Sequence, residues 1–238
     1  MLKMTKKKHQ THKEPKTPED IIEAERNSGI ITHSDLEKIL VVNRVTREPR
    51  RDKNHNALFK PRGVVHRGGY YHVAVHLLII NVEQQEGSII LQFRNRPDDL
   101  HRGQYSTSAA GHVRKEDYAD NPWMDEYTFV DRYMLTAKRE LKEELGIEGI
   151  CLSYVAEKQI SEREEGQIDN EFRNYYLGYW QGQISPNPDE CDTNKSRFYS
   201  VSEINKMLRS GKKFTQSLII GLRYLKGAQS EYFGHLNV

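Results

Sequence analysis

Residues 138–147 read Lys-Arg-Glu-Leu-Lys-Glu-Glu-Leu-Gly-Ile and restrict the fold more than any other stretch. Val130, Met134, Ala137 and Leu141 recur at helical spacing and Gly146 supplies a stop, which predicts a helix from about Glu126 to Leu145. Glu140 and Glu144 then stand one turn apart on a shared face, with Glu143 beside them. Three carboxylates around one turn repel one another, and they sit at the helix end where the macrodipole is already negative. Arg139 can pair with Glu143 one turn on, which offsets part of the repulsion. A bound cation would offset the rest, and a hard, all-oxygen donor set suits Mg2+ or Mn2+ rather than zinc. Taken alone, the cluster reads equally well as a solvated acidic face.

The surrounding text is mixed. Tyr71 to Val82 and Ser88 to Phe93 have the β-branched and aliphatic content of buried strands, with a turn near Glu86-Gly87. Gln104 to Ala110 is extended into Gly111. Further strands are predicted at 150–160, 172–181 and 197–200, and two short helices near 202–209 and 215–226. Toward the start, Thr17-Pro18-Glu19-Asp20 opens a helix that Gly29 ends, a second short helix begins at Ser34, and Val41 to Val45 is extended. Residues 44–67 carry eight Lys/Arg against Glu48 and Asp52, and Pro49 and Pro61 oppose a long element there. That stretch reads as a solvated loop or part of an anion-binding rim. Strands on both sides of one central helix indicate a single α+β domain.

Charge and cysteine content exclude other classes. The formal net charge of +2 over 238 residues sums two unlike parts. Residues 1–16 hold six Lys against Glu14, or +5, and the remainder is 30 basic against 33 acidic, or −3. The first part reads as a disordered basic tail, residues 17–40 as a helical extension, and the rest as the main domain. This balance gives no reason to expect DNA as a partner. Two cysteines, Cys151 and Cys191, make neither a disulfide framework nor a four-cysteine zinc site. The longest apolar run, Val73 to Val82, is ten residues broken by His76 and Asn81, too short to span a bilayer. A cytoplasmic protein without membrane contact is expected.

Gly111, then Arg139-Glu140-Leu141, Glu143-Glu144 and Gly146-Ile147 resemble the Nudix box, a loop–helix–loop metal motif. Twenty-seven residues lie between Gly111 and Arg139, about fourteen more than the motif ordinarily holds. An insertion at about 114–127 accounts for them, with Asp131, eight residues before Arg139, in place of the motif's middle Glu. The resemblance reaches over roughly residues 40–226. Val64 to Val75, Leu91-Gln92-Phe93-Arg94, Ser108 to His112, Ile168 to Phe172 with Tyr176, and Phe214-Thr215 look like the isopentenyl-diphosphate-isomerase-like branch of the Nudix superfamily.

The resemblance implies a Nudix-type α/β/α sandwich with a mixed central sheet, spanning 41–238. It implies a Mg2+- or Mn2+-dependent hydrolase of a diphosphate linkage in a nucleoside diphosphate joined to another moiety. Metal ions neutralise the phosphates and favour attack by water. By the same resemblance Glu140, Glu143, Glu144 and the Ala110 carbonyl are the metal ligands, and Arg139 belongs to the catalytic motif. Glu143, Glu171 and the Glu164/Glu165 pair, in an expected loop from Ser161 to Gln167, are candidate general bases, Glu171 first. Arg94 and Arg96, just after a strand, are candidate phosphate contacts or a solvated pair. In the isomerase three histidines and two acids hold a metal. Here His72, His112, Asp169 and Glu171 stand at matching places, while His66 is one residue out of step, and His72 reads equally as a core histidine. The isomerase's catalytic cysteine is Ala110 here, which disfavours isomerisation of a prenyl diphosphate, the alternative function. A non-catalytic binder is a third reading, which the intact glutamates oppose. A small-molecule diphosphate is the expected partner, and Trp123 and Tyr127 make a homodimer contact conceivable.

Overall fold

The computed structural model describes residues 34–83, 86–96, 99, 101–119, 133–164 and 167–238. The expected basic tail and the helix over 17–29 lie outside the described residues, as do the start of the predicted central helix and Asp131.

Strand β1 (Lys38–Leu40) pairs antiparallel with β2 (Phe59–Pro61), and helix α1 (Arg62–Gly68) follows directly. Ile39 and Leu40 are fully buried, so the chain joins the core before residue 41. The helix expected from Ser34 is only a 3-10 turn, Ser34–Leu36. The basic stretch does hold a helix. Pro61 precedes α1, a place where its fixed φ and missing N–H cost nothing, and Gly69 ends it at φ 62°.

The central strand is β3 (Tyr71–Asn81). Val73, Val75, Leu77 and Ile79 enter one core and Leu78 and Ile80 the other, which is why the run is apolar throughout rather than alternating. One edge of β3 pairs in parallel with β8 (Gln167–Tyr179), from Tyr71 opposite Asn170 to Ile80 opposite Tyr179. Two strands share its other edge. The end of β3 meets β4 (Ser88–Phe93), and the middle meets β6 (Ala109–His112), which follows the short β5 (Tyr105–Ser106). Because β4 and β6 leave that edge at different points, residues from both line one cavity.

Helix α2 (Lys115–Ala119) follows β6, and α3 (Met134–Leu145) packs Ala137, Leu141 and Leu145 against the Val73–Ile79 face. Strand β7 (Leu152–Glu164) forms a long hairpin with β8. The loop expected at Ser161 to Gln167 is therefore mostly strand: Ser161 is in register with Asn170 and donates to its Oδ1 at 2.7 Å. Strand β9 (Arg197–Ser200) adds to β4, α4 (Val201–Arg209) opens with a capping box at Ser200 and Glu203, and α5 (Gln216–Ala228) is capped by Thr215. Leu218, Leu222 and Leu225 of α5 fill the second core with Leu78 and Ile80. Helix α6 (Ser230–Phe233) ends the fold. The result is a mixed sheet between helical layers, an α+β architecture as expected. Among the described residues no helix is long and apolar enough to cross a membrane.

Candidate active site

The acidic face of α3 points into a cavity of about 1000 Å³ whose wall includes Glu140, Glu143, Glu144, Ala110 and His112. Glu140 and Glu144 are buried even though they are acids. Glu144 accepts from the Gln92 side chain at 2.9 Å and from the Ala110 backbone N–H at 3.3 Å. Glu140 lies against Gly111 so closely that a Cβ there would fall on its carboxylate. This is the physical reason for a glycine at 111. We expect Gly111→Ala to displace Glu140 and weaken Mn2+ binding by about 10- to 100-fold, the range for disturbed ligand support. Calorimetric titration with Mn2+ checks it, and an unchanged affinity would contradict it.

Without a cation, burial and the charge of Glu144 hold the Glu140 carboxyl well above its usual range. Burial, reinforced by Glu190, pushes Glu144 up to about 8. Two buried carboxylates that resist ionisation on their own fit a divalent cation as their missing partner. Glu143 differs. Its side chain is 42% exposed and lies between Arg114 Nη1, at 3.2 Å, and Arg139 Nη1, at 3.0 Å. Arg114 also pairs with Glu37.

Arg139 is committed to the protein's own groups. It donates to both oxygens of Asp117 at 2.8 Å, to the His112 carbonyl at 3.1 Å, and pairs with Glu140 at 2.7 Å. This guanidinium ties α2, β6 and α3 together. Among the described residues Asp117 is the carboxylate that Arg139 grips through two hydrogen bonds, beside Glu140 and Glu143, and counting back from Arg139 does not reach it. Thr136 also donates to Asp117, at 3.0 Å. Burial alone would raise the Asp117 pKa, but the hydrogen bonds and charge of Arg139 bring it below its usual value.

A second cluster shares the cavity. In the parallel register His72 lies opposite Glu171, so both face the same side of the sheet. His72 Nε2 is 3.4 Å from Asp169 and 3.8 Å from Glu171, and His112 Nε2 is 3.5 Å from Glu171. His66, set aside on spacing, belongs here too: α1 turns its imidazole to 3.3 Å from His72, Nε2 to Nε2. His72 Nδ1 is 3.1 Å from the Tyr70 carbonyl. Donation there leaves the Nε2 lone pair facing the cluster. Burial lowers His112 to about 4, and burial with its neighbouring imidazoles lowers His66 further, so both are neutral at pH 7. His66, His72 and His112 form one set of close donor atoms, and His72, Asp169 and Glu171 another.

Beneath this cluster Arg173, 3% exposed, pairs with Glu171, with Glu162 at 3.0 Å and with Asp169 at 3.2 Å. Burial alone would raise the Glu171 pKa, but Arg173 and His112 hold it well below the carboxylate range. Asp169 is pushed up to about 6 by burial and then by Glu171. Arg94 and Arg96 both line the cavity, each with a carboxylate partner: Asp99 at 2.5 Å and Glu190 at 3.0 Å. Glu165 lies outside the described residues. Sequence reasoning missed Asp117, Gln92, Arg173 and Glu190. Asp117 alone left a signal, being six residues after Gly111, where the motif's opening half places its carboxylate.

The family model described as the NUDIX domain matches residues 70–218, so the chain belongs to the Nudix hydrolase family. It is 34% identical over 122 residues to Nudix hydrolase 3 of Arabidopsis thaliana. That match takes in 50% of this chain but only 14% of the relative's length. Among solved structures, DR0079 from Deinococcus radiodurans superposes with a TM-score of 0.51 at 14% identity, covering 79% of this chain and 98% of that one. The NUDIX hydrolase from Alicyclobacillus acidocaldarius gives 0.52 at 14% identity, covering 64% and 90%. At such identity these two establish the fold alone.

Proposed function

We propose that this chain is a Mg2+- or Mn2+-dependent hydrolase that cleaves a diphosphate linkage in a nucleoside diphosphate joined to another moiety. The observation that carries this reading is the buried Glu140–Glu144 pair facing the cavity. Glu140 and Glu144 would hold the metal, with Glu143 and the Ala110 carbonyl contributing. The ion would supply positive charge against the diphosphate and favour attack by water. The chain's own part is to keep the carboxylates in place: Gln92 orients Glu144, Gly111 makes room for Glu140, and Arg139 holds α3 on β6. Arg94 and Arg96 stand where a phosphate could take over from Asp99 and Glu190.

Glu171 is bound from both sides, by Arg173 and by the histidines, and that favours its role in holding the second cluster over its role as the base. Glu143 and Glu190 line the same cavity and are likewise paired with arginines, and they are the further candidates to take a proton. The added residues within the motif are read as following Asp117, because Asp117 already engages Arg139.

One observation favours the isomerase reading: His66, His72, His112, Asp169 and Glu171 gather as three histidines and two acids. Ala110 opposes it, since alanine cannot carry a proton. Cys191 does not compensate, because it is buried, donates to the Asn187 carbonyl, and burial pushes its thiol up. The test is a panel of diphosphates incubated with Mg2+, with Mn2+ and with chelator, read by the phosphate-containing products. Metal-dependent hydrolysis of any nucleoside diphosphate derivative supports the proposal. Conversion of isopentenyl to dimethylallyl diphosphate without hydrolysis of the others would overturn it.

A further inference from the structure

The end of α3 is closed by a distant turn. Helices leave their last carbonyls without partners, and here those carbonyls belong to the residues that carry the acidic face. Gly146, at φ 66°, returns its N–H to the Lys142 carbonyl at 3.1 Å, and Ile147 donates to Leu141 at 3.2 Å. The next three carbonyls are met from the segment after β8. Asn187 donates its side-chain amide to the Glu143 carbonyl at 3.3 Å and its backbone N–H to that of Glu144 at 2.9 Å. Ser185 N–H donates to the Leu145 carbonyl at 2.8 Å.

Asn187 also organises its own turn. Its Oδ1 accepts from Asp189 N–H at 3.0 Å, and its carbonyl accepts from Glu190 and Cys191 N–H, each at 3.0 Å. Beyond the turn, Cys191 bridges to Arg94, Asp192 N–H donates to the Phe93 carbonyl at 3.0 Å, and Glu190 pairs with Arg96 at 3.0 Å. One turn therefore connects the last turn of α3 to the end of β4, where Arg94 and Arg96 stand. Both Asn187 and Glu190 line the cavity.

We propose that Asn187 is a positioning residue of the metal face. It holds the last turn of α3, and so Glu143 and Glu144, at a fixed place relative to the arginines across the cavity. Its N–H groups also face the negative end of the helix, which eases the crowding of acids there. The proposal rests on the reading of α3 as the metal-binding helix.

The test uses the full chain, Mn2+ alone as probe, and the variants Asn187→Ala and Asn187→Asp. Binding is read by the electron paramagnetic resonance of free Mn2+, folding by thermal unfolding without metal, and turnover at saturating metal. Asn187→Ala is expected to raise the Mn2+ Kd about tenfold or more and to lower kcat more than it changes KM. Asn187→Asp keeps the acceptor for Asp189 N–H but loses the donor to Glu143. Its added negative charge would by itself tighten a cation, so weaker binding there assigns the loss to the missing donor. This second variant also carries the test if Asn187→Ala does not fold. An unchanged Kd with only a lower melting temperature, or tighter binding in Asn187→Asp, overturns the proposal. A wild-type chain that binds no Mn2+, or binds it as well after Glu144→Gln, refutes the reading of α3 instead.

Discussion

Glu144→Gln is expected to melt at a higher temperature than the metal-free wild type at pH 8, to lose the rise in melting temperature that Mn2+ gives the wild type, and to lose turnover by about 100- to 1000-fold, the range for removal of one electrostatic stabiliser. The stability gain follows from burial. Folding takes the Glu144 carboxyl out of water, and its pKa moves from an ordinary 4.5 up to about 8. An acid raised in this way carries no penalty below pH 4.5. The penalty grows as pH rises from 4.5 to 8 and is complete above that, at a few kcal/mol by the rule of about 1.4 kcal/mol per unit. Glutamine cannot ionise and avoids it, while its amide fills the same space. Metal binding reverses the balance for the wild type alone, since ligand bound only to the folded state stabilises it. Thermal unfolding at pH 5 and pH 8, with and without Mn2+, separates these contributions. A variant less stable than wild type at pH 8, or one that Mn2+ still stabilises fully, would contradict the account.

Arg173→Met has the opposite sign and comparable size. Arg173 is the buried cation among Glu171, Glu162 and Asp169, and it also donates to Gln216 at 3.2 Å. Removing one partner of a buried ion pair leaves uncompensated charge and costs about 3–5 kcal/mol. Glu171 is depressed below its ordinary 4.5 in the wild type. The stability it contributes is present above pH 4.5 and is lost as pH falls through its folded value. In Arg173→Met that contribution is gone, and protonation of the acids relieves the variant, so its deficit shrinks on acidification. Urea unfolding at pH 7 and pH 4 measures this. The companion change Glu171→Gln in the same chain should restore part of the loss. Equal deficits at both pH values would show that Arg173 acts through packing alone.

What could be read from the chain and what could not divides by distance along it. Glu140, Glu143 and Glu144 belong to one helical turn, so their common face follows from a local period. Their burial does not, because it needs Gly111 and Gln92 from other strands. Asp117 was legible from Gly111 forward and was lost by counting back from Arg139 across a lengthened segment, two registers that disagree whenever residues are inserted. His66 stands on α1 and His72 on β3, with Gly69 at φ 62° between them, so their spacing along the chain does not decide whether they meet. Asp169, Glu171 and Arg173 share one face of β8 by the strand's period of two, which says nothing of whether that face is buried. Only the parallel register, with His72 opposite Glu171, shows that this face is a buried ion network. Ser185-Pro186-Asn187-Pro188-Asp189 marks a turn locally, but its partners are not legible there, since they are carbonyls whose exposure depends on how α3 ends.

The central claim is that the acidic face of α3 holds a divalent cation required for cleavage of a diphosphate. Its most direct test is Mn2+ titration of the wild type and of Glu140→Gln/Glu144→Gln, with product release from the substrate panel followed in the same samples. The account predicts that the wild type binds Mn2+ and releases a phosphate-containing product only when it is bound, and that the double variant does neither. Mn2+ binding of equal affinity in the two proteins, or hydrolysis that persists in chelator, would contradict it.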